Sequence, residues 1–300
     1  MRNQGSLWQS STSIEWSSTE TSVAQLRHEA ALFLGSHGTQ PWAVAWCAGA
    51  GFVGAAEDSL TAELTALRAT LDALSVASRP DLGSFFFSSS AGGVYAGVAS
   101  PPYDEHSAVR PLSAYGAAKL DAERITASWS QESGISVLIG RIANLYGPGQ
   151  NLAKAQGIIS QVCRNHLTGR PSSIYVSLDT IRDYLYAPDC AQLIVEGLAR
   201  LSHERAVDRP KVTTKILASQ RPITVGAVLG EMRRIFKGSA RYVVAASTLS
   251  SVQTRDLSVR SRVWPELDRR TLTPLPVGVA RTAADLLGRL QQGELVTAPQ

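Results

Sequence analysis

The segment SAYGAAKLDAERI, residues 113–125, places Tyr115 four positions before Lys119. In an α-helix this spacing sets the two side chains on one face, about one turn apart. An ammonium group close to a phenol favours the phenolate form, so the pair could move a proton on a substrate oxygen. The structural alternative is that the ring packs in the core while Lys119 is solvated. The pair alone does not decide, so the other motifs must.

Apolar runs alternate with segments of helical periodicity along most of the chain. Strands are predicted at 13–16, 42–49, 85–90, 136–147, 211–219 and 241–246, and helices at 22–34, 62–77, 113–134, 187–201 and 223–238. This alternation predicts βαβ units and a parallel sheet. Catalytic and ligand-binding groups in such sheets gather beyond the carboxyl ends of the strands. In this sequence Gly49–Gly51, Ser88–Ser90 and Asn144–Gly149 fall there.

Composition narrows the class of protein. The chain has 300 residues, 44% of them hydrophobic and 18% charged, which is typical of a globular protein. No apolar run reaches the length of a membrane span, and the first residues lack the apolar core of a secretory signal, so we expect no membrane partner and a cytoplasmic location. The net charge is +4, but the arginines are dispersed, which argues against a nucleic-acid partner. The three cysteines lack metal-ligand spacing, so no metal site is predicted.

A glycine-rich loop follows the strand predicted at 42–49. Gly49, Gly51 and Gly54 have the G-x-G-x-x-G spacing of a dinucleotide phosphate loop. The next 20 residues look helical, however, and no second strand ending in Asp or Glu follows. The interpretation that we favour is an inner strand whose small residues let a cofactor approach the backbone, and the phosphate loop is the alternative.

Five short motifs together resemble one family, the extended short-chain dehydrogenase/reductases of the NAD-dependent epimerase/dehydratase group. In order they are WCAG (46–49), FFFSSSAGGVY (85–95), SAYGAAKLDAE (113–123), GRIANLYGPGQN (140–151) and IRDYLYAPDCAQ (181–192). Their spacing is also similar to that of the family, since Gly49 precedes Ser88 by about 40 residues and Ser90 precedes Tyr115 by 25. The resemblance implies an α/β, Rossmann-like parallel sheet with a smaller interleaved substrate-binding lobe.

The resemblance also implies roles for individual residues. Tyr115 would be the general acid/base, Lys119 would bind the nicotinamide ribose of NAD or NADP, and Ser90 would hydrogen-bond the substrate oxygen, although Ser88 and Ser89 leave its register open by one. The implied cofactor-binding residues are Cys47, Ala48, Gly49, Ser90, Tyr115, Lys119 and Ala143, and the implied contacts to a nucleotide-sugar diphosphate are Asn144, Arg182 and Arg255. The structural alternatives are a strand-end cap for Ser90, a turn residue for Asn144, a surface ion pair of Arg182 with Asp183, and core packing for the small residues.

The resemblance exposes a gap. The family begins with a strand, a Gly-x-x-Gly-x-x-Gly loop, a helix and a second strand, and only about a dozen residues precede residue 13 here. We therefore expect the N-terminal phosphate-binding βαβ unit to be missing, which puts cofactor binding in doubt. The sheet edge thus uncovered would need a partner chain or the N-terminal segment to cover it.

The domain and function predictions follow from the same resemblance. Residues 1–204 are expected to form the Rossmann-like core, with a lobe insertion at about 146–182, and residues 205–300 the C-terminal substrate lobe and closing helix. The predicted function is an NAD(P)-dependent epimerase or reductase acting on a nucleotide-sugar or a similar hydroxyl or carbonyl substrate. Dehydration is least favoured, because Ala91 and Gly92 stand where the family's dehydratases have Asp and Glu. The alternative is a non-catalytic binding or scaffold protein on the same fold, and a homodimer is expected by analogy.

Overall fold

The computed structural model describes residues 10–37, 40–49, 51, 54–152, 157–204, 210–237, 241–245 and 254–294. The helices are α1 (Thr19–His37), α2 (Glu57–Leu74), α3 (Ala91–Tyr95), α4 (Ala114–Ser133), α5 (Ile158–Leu167), α6 (Ala187–His203), α7 (Val225–Ile235), α8 (Pro265–Asp268) and α9 (Leu275–Gln291). The strands are β1 (Trp42–Trp46), β2 (Gly83–Ser90), β3 (Ser136–Ile142), β4 (Asn144–Tyr146), β5 (Ser172–Ile174), β6 (Ile181–Arg182), β7 (Tyr184–Tyr186), β8 (Val212–Leu217), β9 (Ile223–Thr224) and β10 (Tyr242–Val244).

The largest sheet has four strands in the order β1-β2-β3-β8. Strands β1 and β2 are parallel, with Trp42 opposite Gly83 and Trp46 opposite Phe87. Helix α2 connects these two strands, and α3 and α4 connect β2 to β3. All residues of β3 are buried, as expected for a strand covered on both faces. The predicted α/β fold with a parallel sheet is therefore confirmed.

Helix α4, which carries the tyrosine–lysine pair, has well-defined ends. The Ser113 hydroxyl accepts a hydrogen bond from the backbone N–H of Gly116 at 3.1 Å, which caps the first turn. Gly134 ends the helix at φ +79°, a left-handed conformation that favours glycine, and its N–H donates to the carbonyl of Ser130. These local signals fix where Tyr115 and Lys119 lie relative to the sheet.

The strand predicted at residues 13–16 is wrong. This segment has irregular backbone, and its Ile14 packs on the core that contains Trp42 and Trp46 of β1. The ring of Trp16 meets the ring of Trp46 edge-on at 6.5 Å between centroids. Helix α1 then packs along α2, and its Phe33 meets Trp42 edge-on at 5.8 Å. The N-terminal segment thus contacts β1, the strand at one end of the described four-stranded sheet.

The chain divides into two compact units. The first comprises Met1–Val94, Pro111–Arg141 and Ala191–Lys215, and its core packs α1, α2 and α4 against β1, β2 and β3. The second comprises Tyr95–Arg110, Ile142–Cys190 and Ile216–Gln300, and its core is built mainly from α5, α7 and α9. The smaller sheets pair β4 with β7 and β5 with β10 in parallel, and β6 with β9 in antiparallel. The boundaries expected from the sequence, 1–204 and 205–300, stay a prediction.

Two properties of the described residues bear on function. None of the helices in the described ranges is long and apolar enough to cross a bilayer. Within those same ranges, no group of three or more His, Cys, Asp or Glu side chains could hold a metal ion.

Candidate active site

Tyr115 and Lys119 lie one turn apart on α4 and line the same small pocket. The Lys119 ammonium lies 5.8 Å from the centroid of the Tyr115 ring and 5.4 Å from that of Phe87 on β2. Tyr115 is half-buried, whereas Lys119 is buried. The lysine is therefore not the solvated residue of the structural alternative, and its charge lies close to the phenol ring.

The Lys119 ammonium has a carboxylate partner that the sequence analysis missed. Glu63 on α2 lies with Oε1 at 2.8 Å from Lys119 Nζ, and the two side chains are only 13% and 10% exposed. A buried charge requires a partner to offset its desolvation, and here one carboxylate matches one ammonium. Glu63 belongs to an otherwise apolar helical face with Leu60 and Leu67, three before it and four after it. A carboxylate within an apolar helical stripe was the sequence signal that could have identified Glu63 as a residue of the site.

The backbone after β1 also lies against Glu63. The N–H of Gly51 donates to Glu63 Oε2 at 3.2 Å. A β-carbon added at Gly49, whose φ is +152°, would come within 2.6 Å of Glu63 Oε1. Because Gly49 has no side chain, the Glu63 carboxylate can lie against the backbone at this position.

The serine cluster at the end of β2 divides into two environments. The Ser89 hydroxyl is buried and donates to Glu123 Oε1 at 2.5 Å, within a buried contact between Glu123 and Arg141. The Ser90 hydroxyl accepts from the N–H of Gly93 at 3.1 Å and is half-buried. Ser89 is thus committed to a structural network, which leaves Ser90 as the serine of the two with a part-exposed hydroxyl. The cap that the sequence analysis gave as the structural alternative for Ser90 is present, and the substrate contact of Ser90 stays a prediction.

Ser90 and the start of α4 meet at Gly93. A β-carbon at Gly93 would lie 3.3 Å from Ser90 Oγ and 3.3 Å from the α-carbon of Gly116. Gly116 directly follows Tyr115 in the chain. The structure therefore brings the chain around Ser90 and the chain around Tyr115 into contact within the first unit.

The residues expected to contact a dinucleotide do not fit one as they are arranged. The pocket beside Tyr115 and Lys119 has a volume of about 10 Å³, on the order of one water molecule, and Glu63 holds the ammonium assigned to the ribose. Helix α2, which follows the glycine-rich loop, begins with Glu57 and Asp58. Their charges would repel a pyrophosphate at that helix N-terminus. Residues 50, 52 and 53 of the loop lie outside the described residues.

The small residues assigned to the cofactor are distributed over both units. In the first unit Cys47 and Gly49 are exposed and Ala48 is half-buried, directly after β1. In the second unit Ala143 is half-buried, and its N–H donates to the carbonyl of Leu217 at 2.9 Å. Their assignment stays a prediction.

The second unit places the two predicted phosphate-binding arginines side by side. Nη1 of Arg182 donates to the carbonyl of Ile181 at 2.7 Å and to that of Arg255 at 3.4 Å. The Arg255 side chain is 76% exposed and pairs with Asp179. Burial lowers the pKa of Arg182, because desolvation opposes the charged form. The sequence analysis considered a surface ion pair between Arg182 and Asp183. The Asp183 carboxylate is buried, however, and it accepts hydrogen bonds from the backbone N–H groups of Ser219 and Arg221.

Asn144 begins β4 and is exposed. Its backbone N–H and its side-chain amide both donate to the carbonyl of Asp183, at 3.0 and 3.2 Å. These bonds join β4 to the strand that follows Arg182. The side-chain carbonyl oxygen of Asn144 takes no part in these two hydrogen bonds.

Comparison with known proteins gives a consistent result. A family model described as "NAD dependent epimerase/dehydratase family" matches residues 14–208. Among curated relatives, the dTDP-L-rhamnose 4-epimerase of Burkholderia thailandensis is 36% identical over 92 residues, 30% of this chain and 25% of that protein. The dTDP-glucose 4,6-dehydratase of Salmonella typhimurium is 33% identical over 106 residues, 34% of this chain and 28% of that protein. The matched segments span less than half the length of these relatives.

Solved structures show the same fold. The UDP-glucose 4-epimerase of Thermus thermophilus, determined with NAD, has a TM-score of 0.74 at 18% identity and covers 92% of this chain and 84% of its own. The UDP-glucose 4-epimerase of Thermotoga maritima, determined with UDP-glucose, has a TM-score of 0.72 at 20% identity and covers 88% of this chain and 82% of its own. At such identities the likeness concerns the fold.

Proposed function

The chain belongs to the NAD dependent epimerase/dehydratase family, and we propose that it is an epimerase- or reductase-type enzyme acting on a nucleotide-linked sugar, with NAD or NADP as its cofactor. One observation carries this proposal: Tyr115 and Lys119 line one pocket, with the ammonium 5.8 Å from the phenol ring. Family members and structural neighbours that bind NAD support the choice of cofactor.

Tyr115 has the proton-transfer role in this proposal. Its phenol gives a proton to a sugar carbonyl oxygen or takes one from a sugar hydroxyl, and the Lys119 ammonium lies 5.8 Å from the centroid of its ring. Ser90, whose hydroxyl is half-buried beside Gly93, is assigned the hydrogen bond that orients the same oxygen. Epimerisation and ketone reduction both require this proton movement. The dehydratases that this sequence resembles have Asp and Glu next to the serine, where this chain has Ala91 and Gly92.

The second unit supplies the proposed contacts to the nucleotide-sugar diphosphate. Arg182 and Arg255 are linked through the Arg255 carbonyl, and a guanidinium offers a planar pair of donors that suits two phosphate oxygens. Asn144 is the third proposed contact. UDP-glucose is bound in the Thermotoga maritima relative, which supports a nucleoside diphosphate sugar as the substrate class.

We propose that the described residues before β1 do not form the phosphate-binding βαβ unit of the family. Two observations support this proposal: β1 lies at one end of the described four-stranded sheet, and the element that precedes it in the chain is helix α1. Backbone N–H groups that hold a pyrophosphate contribute on the order of 1.5–3 kcal/mol each as charge-assisted hydrogen bonds. Nicotinamide mononucleotide and NAD should then bind with nearly equal affinity, and a strong preference for NAD would contradict the proposal.

A non-catalytic binding or scaffold role is the second candidate. The Glu63–Lys119 ion pair favours it, because the ammonium that a cofactor ribose would contact already has a partner. A scaffold of this kind would keep the fold while showing no turnover.

Turnover separates the two candidates. UDP-glucose and dTDP-glucose are incubated with the protein and NAD, and their 4-keto forms with NADPH, and the sugars are resolved by NMR. We expect conversion by the wild type and a loss of about 10²–10⁴ in rate for Tyr115→Phe. Tyr175→Phe, at an exposed tyrosine of the second unit, is the matched control and should keep the wild-type rate. Equal rates for the two variants, or no conversion by any of them, would reject the catalytic proposal.

A further inference from the structure

We infer that Glu63 is an internal competitor for the cofactor site: its carboxylate occupies Lys119 and thereby weakens binding of a nicotinamide dinucleotide. This inference rests on the proposed function, because it concerns the same pocket and the same lysine. If the inference is right, the Glu63 side chain alone explains why that pocket fits the cofactor poorly.

The contacts of Glu63 identify it as the occupant. Its Oε1 lies 2.8 Å from Lys119 Nζ, and its Oε2 accepts the N–H of Gly51 at 3.2 Å. Oε1 also lies in the space that a side chain at Gly49 would need. The carboxylate therefore meets both the ammonium of α4 and the backbone after β1, the two surfaces assigned to the ribose and its neighbouring atoms.

The chemistry of the two occupants makes them exclusive. A ribose diol offers two oxygen atoms that accept from an ammonium and a backbone N–H, which is the bonding that the Glu63 carboxylate already has. Both cannot occupy the same donors in a pocket of about 10 Å³. The diol is neutral, so replacing the carboxylate at the ammonium gives up an ion pair in a buried setting. Binding is penalised by that loss.

The variant Glu63→Gln isolates the charge. Glutamine keeps the length of the side chain and a carbonyl oxygen for Lys119, but it removes the negative charge. We expect NAD or NADP to bind Glu63→Gln about tenfold more tightly than the wild type, in calorimetric titrations of the full chain. Adding Lys119→Met to Glu63→Gln should abolish the gain, because the donor for the ribose is then removed.

Two control variants exclude trivial causes. Asp72→Asn removes an exposed carboxylate from the last turn of the same helix. Glu123→Gln removes a different buried carboxylate from the same unit, the partner of Arg141. Neither should tighten binding. An equal gain in Glu123→Gln would mean that loosening of the unit raises affinity, which would overturn the role of Glu63.

A second readout does not depend on the cofactor. Acetic anhydride labels lysine amines, and mass spectrometry of the peptide containing Lys119 gives its labelling rate in the native protein. We expect faster labelling of Lys119 in Glu63→Gln than in the wild type or in Glu123→Gln. An unchanged labelling rate overturns the inference. Absence of dinucleotide binding in both the wild type and Glu63→Gln, with faster labelling, instead rejects the proposed cofactor and leaves Glu63 as the residue that closes the pocket.

Discussion

Glu123 on α4 and Arg141 on β3 form a buried ion pair held by several hydrogen bonds. Nη2 of Arg141 donates to Glu123 Oε2 at 2.7 Å, and Nε donates to Oε1 at 3.0 Å. The two side chains are 6% and 9% exposed. The Ser89 hydroxyl donates to the same carboxylate. The pair therefore joins the helix that carries Tyr115 to the strand β3 and to the end of β2.

Removing one member of this pair should destabilise the first unit strongly. Arg141→Met leaves the Glu123 carboxylate buried without its cation, which costs roughly 3–5 kcal/mol of unfolding free energy. The matched control is Arg124→Met, which breaks an exposed ion pair with Asp121 whose side chains are 68% and 52% exposed. That change should cost about 1 kcal/mol or less. Urea unfolding of both variants measures the difference, and equal losses would contradict the importance of the buried pair.

The parts of the fold that depend on local sequence could be predicted. The ends of α4 depend on a serine cap and a terminal glycine, Ser113 and Gly134, which act within a few residues of the helix. The alternation of apolar strands with helices likewise appears in the sequence and predicts the parallel sheet. The strand expected at residues 13–16 was wrong, because an alternating pattern of four residues cannot distinguish strand pairing from packing of Trp16 on Trp46.

The partners within the site could not be predicted in the same way. Lys119 and Glu63 are 56 residues apart, and nothing in the local pattern of either helix indicates that they meet. The adjacency of Arg182 and Arg255 likewise depends on a bridge between Ile181 and Asp256. Long-range pairing of this kind is decided by tertiary packing. The resemblance to a family proposed the tyrosine and the lysine, but it assigned no role to Glu63.

Gly116 should be intolerant of a side chain. A β-carbon at this position would lie 2.3 Å from the carbonyl oxygen of Gly93 and 3.0 Å from Cβ of Pro111. The first of these atoms belongs to the backbone, so the helix or the loop after β2 must shift. We expect Gly116→Ala to cost about 1–3 kcal/mol of unfolding free energy and to displace Tyr115.

Gly230 provides the matched control for that substitution. It is also a helical glycine, in α7, but apart from its chain neighbours and the backbone of its own helix no described atom lies within 4 Å of a β-carbon built there. Gly230→Ala should therefore stabilise the protein by about 0.5–1 kcal/mol through higher helix propensity. Thermal unfolding of both variants is the measurement. A stable Gly116→Ala variant would contradict the close approach of the two glycines.

Asp104 should make the stability of the second unit sensitive to acid. Burial alone raises the pKa of Asp104, but hydrogen bonds from Arg262, from the backbone N–H of His106 and from Ser107 outweigh it and hold that pKa below its ordinary value. A carboxyl group whose pKa is lower in the folded state stabilises the protein at pH values above its unfolded pKa, about 4. That stabilisation is lost as the pH falls through the folded-state pKa.

The difference in unfolding free energy between wild type and Asp104→Asn should therefore be largest near pH 7. It should shrink as the pH falls below about 4, because the wild-type carboxyl then takes up its proton. Arg262→Met removes the partner and should show a smaller change of stability with pH than the wild type. Urea unfolding at pH 7, 5 and 3 measures these differences. A difference that stays constant over this range would mean that the charge of Asp104 contributes nothing.

Cys47 offers a direct test of where a dinucleotide binds. It is exposed directly after β1, whereas Cys163 and Cys190 are buried. Desolvation raises the pKa of both the Cys47 and the Cys163 thiols, and that of Cys163 reaches about 12. In the native protein at pH 8, iodoacetamide should therefore modify Cys47 well before the other two thiols. If the backbone after β1 contacts the cofactor, saturating NAD or NADP should slow the alkylation of Cys47, and the effect should be larger in Glu63→Gln. Peptide mass spectrometry gives the rate at each cysteine. An unchanged Cys47 rate at a cofactor concentration that calorimetry shows to be saturating would place the ligand elsewhere.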